Sequence, residues 1–351
     1  MSDRGPAHRA WRRLFVGALR EAEPAFSAVL ASGAEVVALV TLDAESGART
    51  PRFVDLTALA GRHKVPVLST GDLDAAALVP EVRRLSPTLL VRAGWPGQLH
   101  RDLHTIPTHG AVGFHASLLP RYRGGSPVAW AILRGETMTG TTMVMLVPGA
   151  SNADIVDQRE VPIRADDTCA TVWDKVAEAD AQMLRQHLRD LLNGTAPRRR
   201  QMVHHFDRKL PERTPAMGIT SFDRTSAEVY DWIRALTRPC TGAFVHMRGE
   251  RVVLWSAATL HPERRTHAPP GTVLGADGDG VVVTTRTGAV RLLEVQPDGE
   301  LPQPAALWLE HKGLPPGCVF EAVDPATRAW TLGRGSHPGP TRGLSPGRRA
   351  R

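Results

Sequence analysis

The chain has 351 residues, 42% of them hydrophobic and 23% charged, with a formal net charge of +7. That length is too great for one ordinary domain and suits two, and the composition is that of a soluble globular protein. No run approaches the roughly 18 uninterrupted apolar residues of a membrane span. The basic start, Met1 to Arg13, leads into a short apolar run broken by Arg20 and Glu21, with no small-residue cleavage site. No membrane contact and a cytoplasmic location are therefore expected. Residues 1–13 carry Arg4, Arg9, Arg12 and Arg13 against Asp3, and residues 334–351 carry Arg334, Arg342, Arg348, Arg349 and Arg351 with no acid. These ends account for the whole positive excess and leave a near-neutral body, which argues against a phosphate-tracking surface. Cys169, Cys240 and Cys318 lack CxxC or Cys/His pairing, so neither a disulfide framework nor a metal site is expected.

In chain order, Leu14 to Leu19 reads as a short strand. The helix that follows has Pro24 in its first turn, Phe26, Val29 and Leu30 on one face, and Gly33 at its end. Glu35 to Leu42 reads as a buried parallel strand. Next come a helix over Asp55 to His63, a strand at Val65 to Leu68, a helix over Asp74 to Leu85, and strands at Thr88 to Ala93 and Ala111 to Phe114. This alternation predicts an α/β architecture on a doubly wound sheet, whose ligands lie outside the carboxyl ends of the strands. An irregular loop from His115 to Gly125 precedes a helix opened by Ser126-Pro127 and closed by Gly135, then a strand over Thr141 to Val147. An amphipathic helix over 168–192 closes the domain. From Asn193 to Gly218 the chain is polar and rich in Pro and Gly, the composition of a linker. Thr225 and Glu228 form a capping box for a helix that turns Val229, Trp232, Ile233 and Leu236 inward. After Pro239, short β-type runs at Gly242–His246, Arg251–Trp255, Gly271–Val273, Gly280–Thr285 and Val290–Val295 predict a small barrel, and Gly335 to Arg351 is expected to be disordered.

Residues 110–158, GAVGFHASLLPRYRGGSPVAWAILRGETMTGTTMVMLVPGASNADIVDQ, carry the chemistry. A strand ending in His115 runs into SLLP and R-x-R-G-G, and a Gly-Thr-Thr turn leads through a strand to a Pro-Gly loop before Asp154. This segment resembles the signature of the formyltransferase family, which includes methionyl-tRNA and sugar N-formyltransferases. The resemblance continues through TSAEVYDWIRALTRPCTGAF, PPGTVL, GAVRLLEVQP and PPGCVF, covering roughly 14–322. It implies a Rossmann-like formyltransferase domain over 14–195 and, after a linker at 196–220, a small OB-like β-barrel domain over 221–325. A basic extension at 1–13 and a disordered basic tail at 326–351 flank these.

The resemblance also implies 10-formyltetrahydrofolate as donor and a small amine as acceptor. An amine attacking a formyl carbon needs a group to manage its proton and donors to meet the developing oxyanion, and His115 can do either. Two further catalytic positions depart from the family: its Asn is Gly113 here and its Asp is Ser151. Gly113 removes an oxyanion donor, and Ser151 removes the carboxylate that would raise the pKa of His115 and fix its tautomer. Ser151 is either a nucleophile or relay beside His115 or a small space-filling residue. The pterin is implied to lie between Arg92, Ala93, Gly94 and Trp95 on one side and Val147 to Ser151, including Gly149, on the other. Trp95 either stacks on the ring or plugs the core. Asp154 matches an acid common in the family. Leu118, Leu119 and Pro120 would shape the passage from donor to acceptor, while Arg121 and Arg123 either meet an anionic acceptor or cap a loop. The changed catalytic set makes tRNA an unexpected partner. Folate-independent transfer, hydrolysis or condensation, and a silent binding protein, are the alternatives. The β-rich domain offers a possible homodimer surface.

Overall fold

The computed structural model describes residues 11–33, 35–148, 153–202, 209–260, 267–336 and 338. The chain divides into two compact units, Met1–Ala131 with Glu136–Lys209, and Ile132–Gly135 with Leu210–Arg351. In chain order the elements up to residue 193 are β1 (Arg13–Val16), α1 (Ala22–Ala31), β2 (Val36–Leu42), α2 (Ala44–Ala48), α3 (Thr57–Arg62), β3 (Val67–Thr70), α4 (Val79–Leu85), β4 (Leu89–Arg92), α5 (Arg101–Thr105), β5 (Ala111–His115), α6 (Pro127–Leu133), β6 (Met138–Leu146), β7 (Ile155–Pro162) and α7 (Cys169–Asn193). The strands form one sheet in the order β3-β2-β1-β4-β5-β6-β7. β1 to β5 are mutually parallel, while β6 lies antiparallel to β5 and to β7. The doubly wound sheet read from the sequence is thus completed by an antiparallel hairpin. β7 escaped the sequence reading because Asp157, Gln158, Arg159 and Glu160 interrupt its apolar positions; it is an edge strand, where polar side chains reach solvent.

All seven residues of β2 are buried, as in a parallel strand covered on both faces. One face of the sheet, with Phe15, Leu39, Val91, Val112 and Met143, packs with Phe26 and Val29 of α1 and Leu184 and Leu188 of α7. The other face, with Leu14, Val40, Leu90 and Ala111, packs with Val79 and Val82 of α4 and Leu103 of α5. Thr168 opens α7 with a capping box shared with Thr171, and Gly194, at φ +71°, closes it. Arg13, assigned from composition to a basic extension, is instead the first residue of β1 and is wholly buried. Its guanidinium donates to the Val29 carbonyl at 3.0 Å and to Ser32, at the C-terminus of α1. A cation there is favoured by the unsatisfied helix carbonyls, and burial lowers its pKa to about 10.

In the second unit, α8 (Ser226–Leu236) precedes β8 (Ala243–Met247), β9 (Glu250–Thr259), β10 (Val273–Asp277), β11 (Gly280–Thr284), β12 (Ala289–Pro297), β13 (Gln303–Pro304), α9 (Ala305–His311) and α10 (Pro325–Thr331). The strands pair antiparallel in the order β10-β11-β12-β9-β8, with β13 on β12. The antiparallel pairing agrees with the β-rich second domain read from the sequence, and among the described residues the path does not close on itself. Trp232 of α8 is buried, with Arg224 at 4.3 Å and Arg213 at 5.2 Å from its ring centre. The stretch from 326 onward, expected to be disordered, begins inside α10. Asp324 caps that helix by accepting from Thr327 N–H at 2.9 Å, and Pro325 occupies its first turn. The remainder of that tail, apart from residues up to 336 and 338, lies outside the described residues.

Candidate active site

The strand order reverses between β1 and β4, which makes their carboxyl ends the crevice of the sheet. The two outgoing loops are tied there by backbone: the Gly94 carbonyl accepts from Ala18 N–H at 2.9 Å and Leu19 N–H at 2.8 Å. Only glycine fits at 94, since φ is +57° and an added Cβ would lie 2.8 Å from Ala22 N. Ala93 is buried and its N–H donates to Val16. Trp95 does not present its ring to the crevice. It is 7% exposed within the core, and its indole N–H donates to the Leu73 carbonyl at 2.8 Å, which selects the core-plug reading.

Arg92 ends β4 and is paired in register with Gly113 of β5, so both project to the same face. Its guanidinium donates to the Gly97 carbonyl and has no ion pair among the described residues; burial lowers its pKa to about 10. Both ring nitrogens of neighbouring His104 are buried without a partner, and burial and the Arg92 charge lower the His104 pKa. On the other side of Gly113 stands β6. A Cβ at position 113 would lie 2.9 Å from Leu146 Cδ1, so the Leu146 side chain occupies the space that an asparagine at 113 would enter. Register pairs Leu146 with Ala111, two residues below Gly113. The loops leaving β4 and β6 therefore start about 7 Å apart along the strand direction. Val147 is 53% exposed at that point. Gly149 and Ser151 lie outside the described residues, as does the rest of 149–152. Beyond them, the Asp154 carbonyl accepts from Met145 N–H at 2.9 Å, a backbone role; its carboxylate has no hydrogen bond or ion pair among the described residues.

His115 is the last residue of β5 and is half-buried. Its Nε2 lies 3.0 Å from the Tyr122 carbonyl oxygen. A carbonyl only accepts, so the neutral ring carries its proton on Nε2 and presents a bare Nδ1. Nδ1 makes no hydrogen bond among the described residues. Burial, opposed by the Tyr122 bond and reinforced by the positive charge of Arg123, lowers the His115 pKa from its ordinary value, so the ring is neutral at neutral pH. A carboxyl group does lie behind the strand: Asp180 of α7 is 2.6 Å from the Thr141 hydroxyl, which is 3.3 Å from the His115 carbonyl. Burial first, and Glu21 as well, raise the Asp180 pKa well above its ordinary value. Its bond is to the Thr141 hydroxyl and not to the imidazole.

The loop after His115 is held by its own hydrogen bonds. The wholly buried Thr142 hydroxyl donates to the Ser117 carbonyl at 2.6 Å and accepts from Leu119 N–H and Gln158 Nε2, each at 3.0 Å. Gln158 also donates to the Leu119 carbonyl at 2.9 Å, and Ser117 Oγ donates to the Arg121 carbonyl at 2.7 Å. Leu118 lies over Gly140, where an added Cβ would be 2.5 Å from Leu118 Cδ2 and 2.4 Å from the Arg159 carbonyl. Pro120 is half-buried in this loop. Arg121 is exposed and ion-paired with Glu136 at 3.2 Å, while Arg123 is 9% exposed, a buried charge beside His115. Sequence reading did not single out Thr142, Gln158, Leu146, Tyr122 or Glu136. The Gly-Thr-Thr turn held a signal for Thr142; the others depend on which strands and loops meet.

Two family models match the chain: Formyl transferase over residues 28–188 and Formyl transferase, C-terminal domain, over 213–313. Methionyl-tRNA formyltransferase of Geobacter sulfurreducens is 31% identical over 312 residues, covering 87% of this chain and 95% of that protein. The enzyme of that name from Moorella thermoacetica is 31% identical over 316 residues, covering 89% of this chain and all of that one. Among solved structures, HypX from Aquifex aeolicus in complex with tetrahydrofolic acid superposes with a TM-score of 0.62 at 19% identity, over 90% of this chain and 50% of the longer HypX chain. WlaRD, a sugar 3N-formyl transferase, gives 0.61 at 13% identity over 83% and 99%. These structural likenesses concern the fold; the sequence matches decide membership, and the chain belongs to the formyl transferase family.

Proposed function

We propose that this chain transfers a formyl group from 10-formyltetrahydrofolate to the amine of a small molecule, with His115 as the base. The observation that carries this is the neutral His115 ring at the strand end, anchored through Nε2 and open at Nδ1. The donor supplies the formyl carbon. As the amine nitrogen bonds to that carbon and the carbon–N10 bond breaks, Nδ1 takes the proton the amine loses and returns it to N10. The positive charge of Arg123 beside His115 favours the developing oxyanion in a site without the family's asparagine. Apolar Leu146 and Val147 on one side of Gly113, with Arg92 and the unpartnered nitrogens of His104 on the other, suit a flat heteroaromatic ring with a polar edge. This fit supports the donor. In this reading the residues around 14–195 carry the chemistry and those around 221–325 form the second domain.

The near-neutral body favours a small acceptor over a nucleic acid. The full-length likeness to methionyl-tRNA formyltransferases favours a second reading, in which the amine belongs to an aminoacyl-tRNA. The purified chain is incubated with 10-formyltetrahydrofolate and either amino sugars and amino acids or methionyl-tRNA, and tetrahydrofolate release is followed with His115→Ala as control. Release that depends on His115 and a small amine is expected. Release with methionyl-tRNA alone selects the second reading, and neither release nor folate binding overturns formyl transfer in favour of a folate-independent or silent pocket.

A further inference from the structure

We infer that Glu136, acting through the Tyr122 side chain, is a positioning residue that keeps His115 in the tautomer protonated on Nε2. The functional consequence rests on the formyl-transfer reading above; the tautomer does not. A histidine that is to take a proton at Nδ1 must have its other nitrogen fixed, and the carboxylate that the family places near this ring is Ser151 in this chain. What holds the ring is the Tyr122 carbonyl, 3.0 Å from Nε2. That carbonyl is aimed by a left-handed backbone, φ +54°, a conformation unfavourable for a residue with a bulky side chain. Something must offset that cost. The Tyr122 hydroxyl donates to the Glu136 carboxylate at 2.5 Å, and Arg121, 3.2 Å from that carboxylate oxygen, stands 5.9 Å from the centre of the Tyr122 ring. Glu136 is itself fixed, its N–H donating to the Ala131 carbonyl at 3.1 Å just before β6. A carboxylate thus acts on the histidine at second hand, by holding the carbonyl that holds the ring, and it does so without adding charge next to the imidazole.

The direct test is the His115 tautomer, read by long-range ¹H–¹⁵N correlation of imidazole-labelled protein at about pH 8, above the ordinary imidazole pKa. The wild-type chain is expected to show one form, protonated on Nε2. Tyr122→Phe and Glu136→Ala are expected to give averaged signals from both tautomers, whereas Glu136→Gln, which keeps an acceptor oxygen, retains most of the single form. In formyl transfer, Tyr122→Phe and Glu136→Ala each lower kcat by about tenfold at unchanged KM, and the double variant loses no more than either alone. A wild-type ring protonated on Nδ1, or a single Nε2-protonated form surviving in both variants, overturns the inference. Should the chain transfer no formyl group at all, the nuclear resonance result still decides the tautomer, so the two readings fail separately.

Discussion

The two flanks of the His115 strand end are built differently. On the loop side, from His115 to Gly125, polar groups meet polar groups: Thr142 satisfies three partners, Gln158 links the Leu119 carbonyl to the Thr142 hydroxyl, and Tyr122 holds the histidine. On the side of Gly113 and β6 stands an apolar wall, because Leu146 fills the space beside the glycine. A hydrogen-bonded loop depends on every member, since one lost partner strands another buried group. A packed wall tolerates change as long as volume is conserved. A side chain at position 113 therefore cannot be introduced without moving Leu146.

The largest expected effect breaks the loop side at its functional end. His115→Ala is expected to lower kcat by about 10²–10⁴-fold with an unchanged circular-dichroism spectrum. In the wild type, kcat/KM should rise with pH through a single limb whose midpoint lies below the ordinary imidazole value and then stay flat, because the bare ring is the active form and its pKa is lowered. A limb above the ordinary value would mean that a negatively charged partner sits beside the ring. Next, Thr142→Val keeps the shape but orphans Leu119 N–H, and urea unfolding should report a loss of about 1–3 kcal/mol, largely recovered in Thr142→Ser. On the packed side, Gly113→Asn should lose about 1–2 kcal/mol by crowding Leu146, and pairing it with Leu146→Ala should return part of that loss. If Gly113→Asn is neutral, Leu146 moves aside freely and the wall is softer than its contacts suggest. The smallest effect belongs to Arg121→Ala, whose side chain is 62% exposed in its pair with Glu136: under about 1 kcal/mol of stability, and a KM for an anionic acceptor that changes only if Arg121 meets it.

Much of the fold was legible because its signals are local. The seven apolar residues of β2, the capping boxes at Thr168 and Thr225, and the stripe of α7 each declare an element within a few residues. Arg13 was misread as part of a charged extension because composition cannot see that α1 ends beside it, and α10 was missed because a single capping turn is weak against a Gly- and Arg-rich background. His115 and its loop were identified by motif, and Trp95 was left with two readings that only burial could separate. Sequence by itself determined the alternating first domain, the β-rich second one and the histidine at the strand end, since periodicity, caps and a contiguous motif are written along the chain. Only the tertiary structure decided that Leu146 packs against Gly113, that Thr142 and Gln158 hold the loop, and that a carbonyl selects the imidazole nitrogen. Those facts depend on residues distant in the chain meeting at hydrogen-bond or van der Waals range, where spacing along the sequence carries no information.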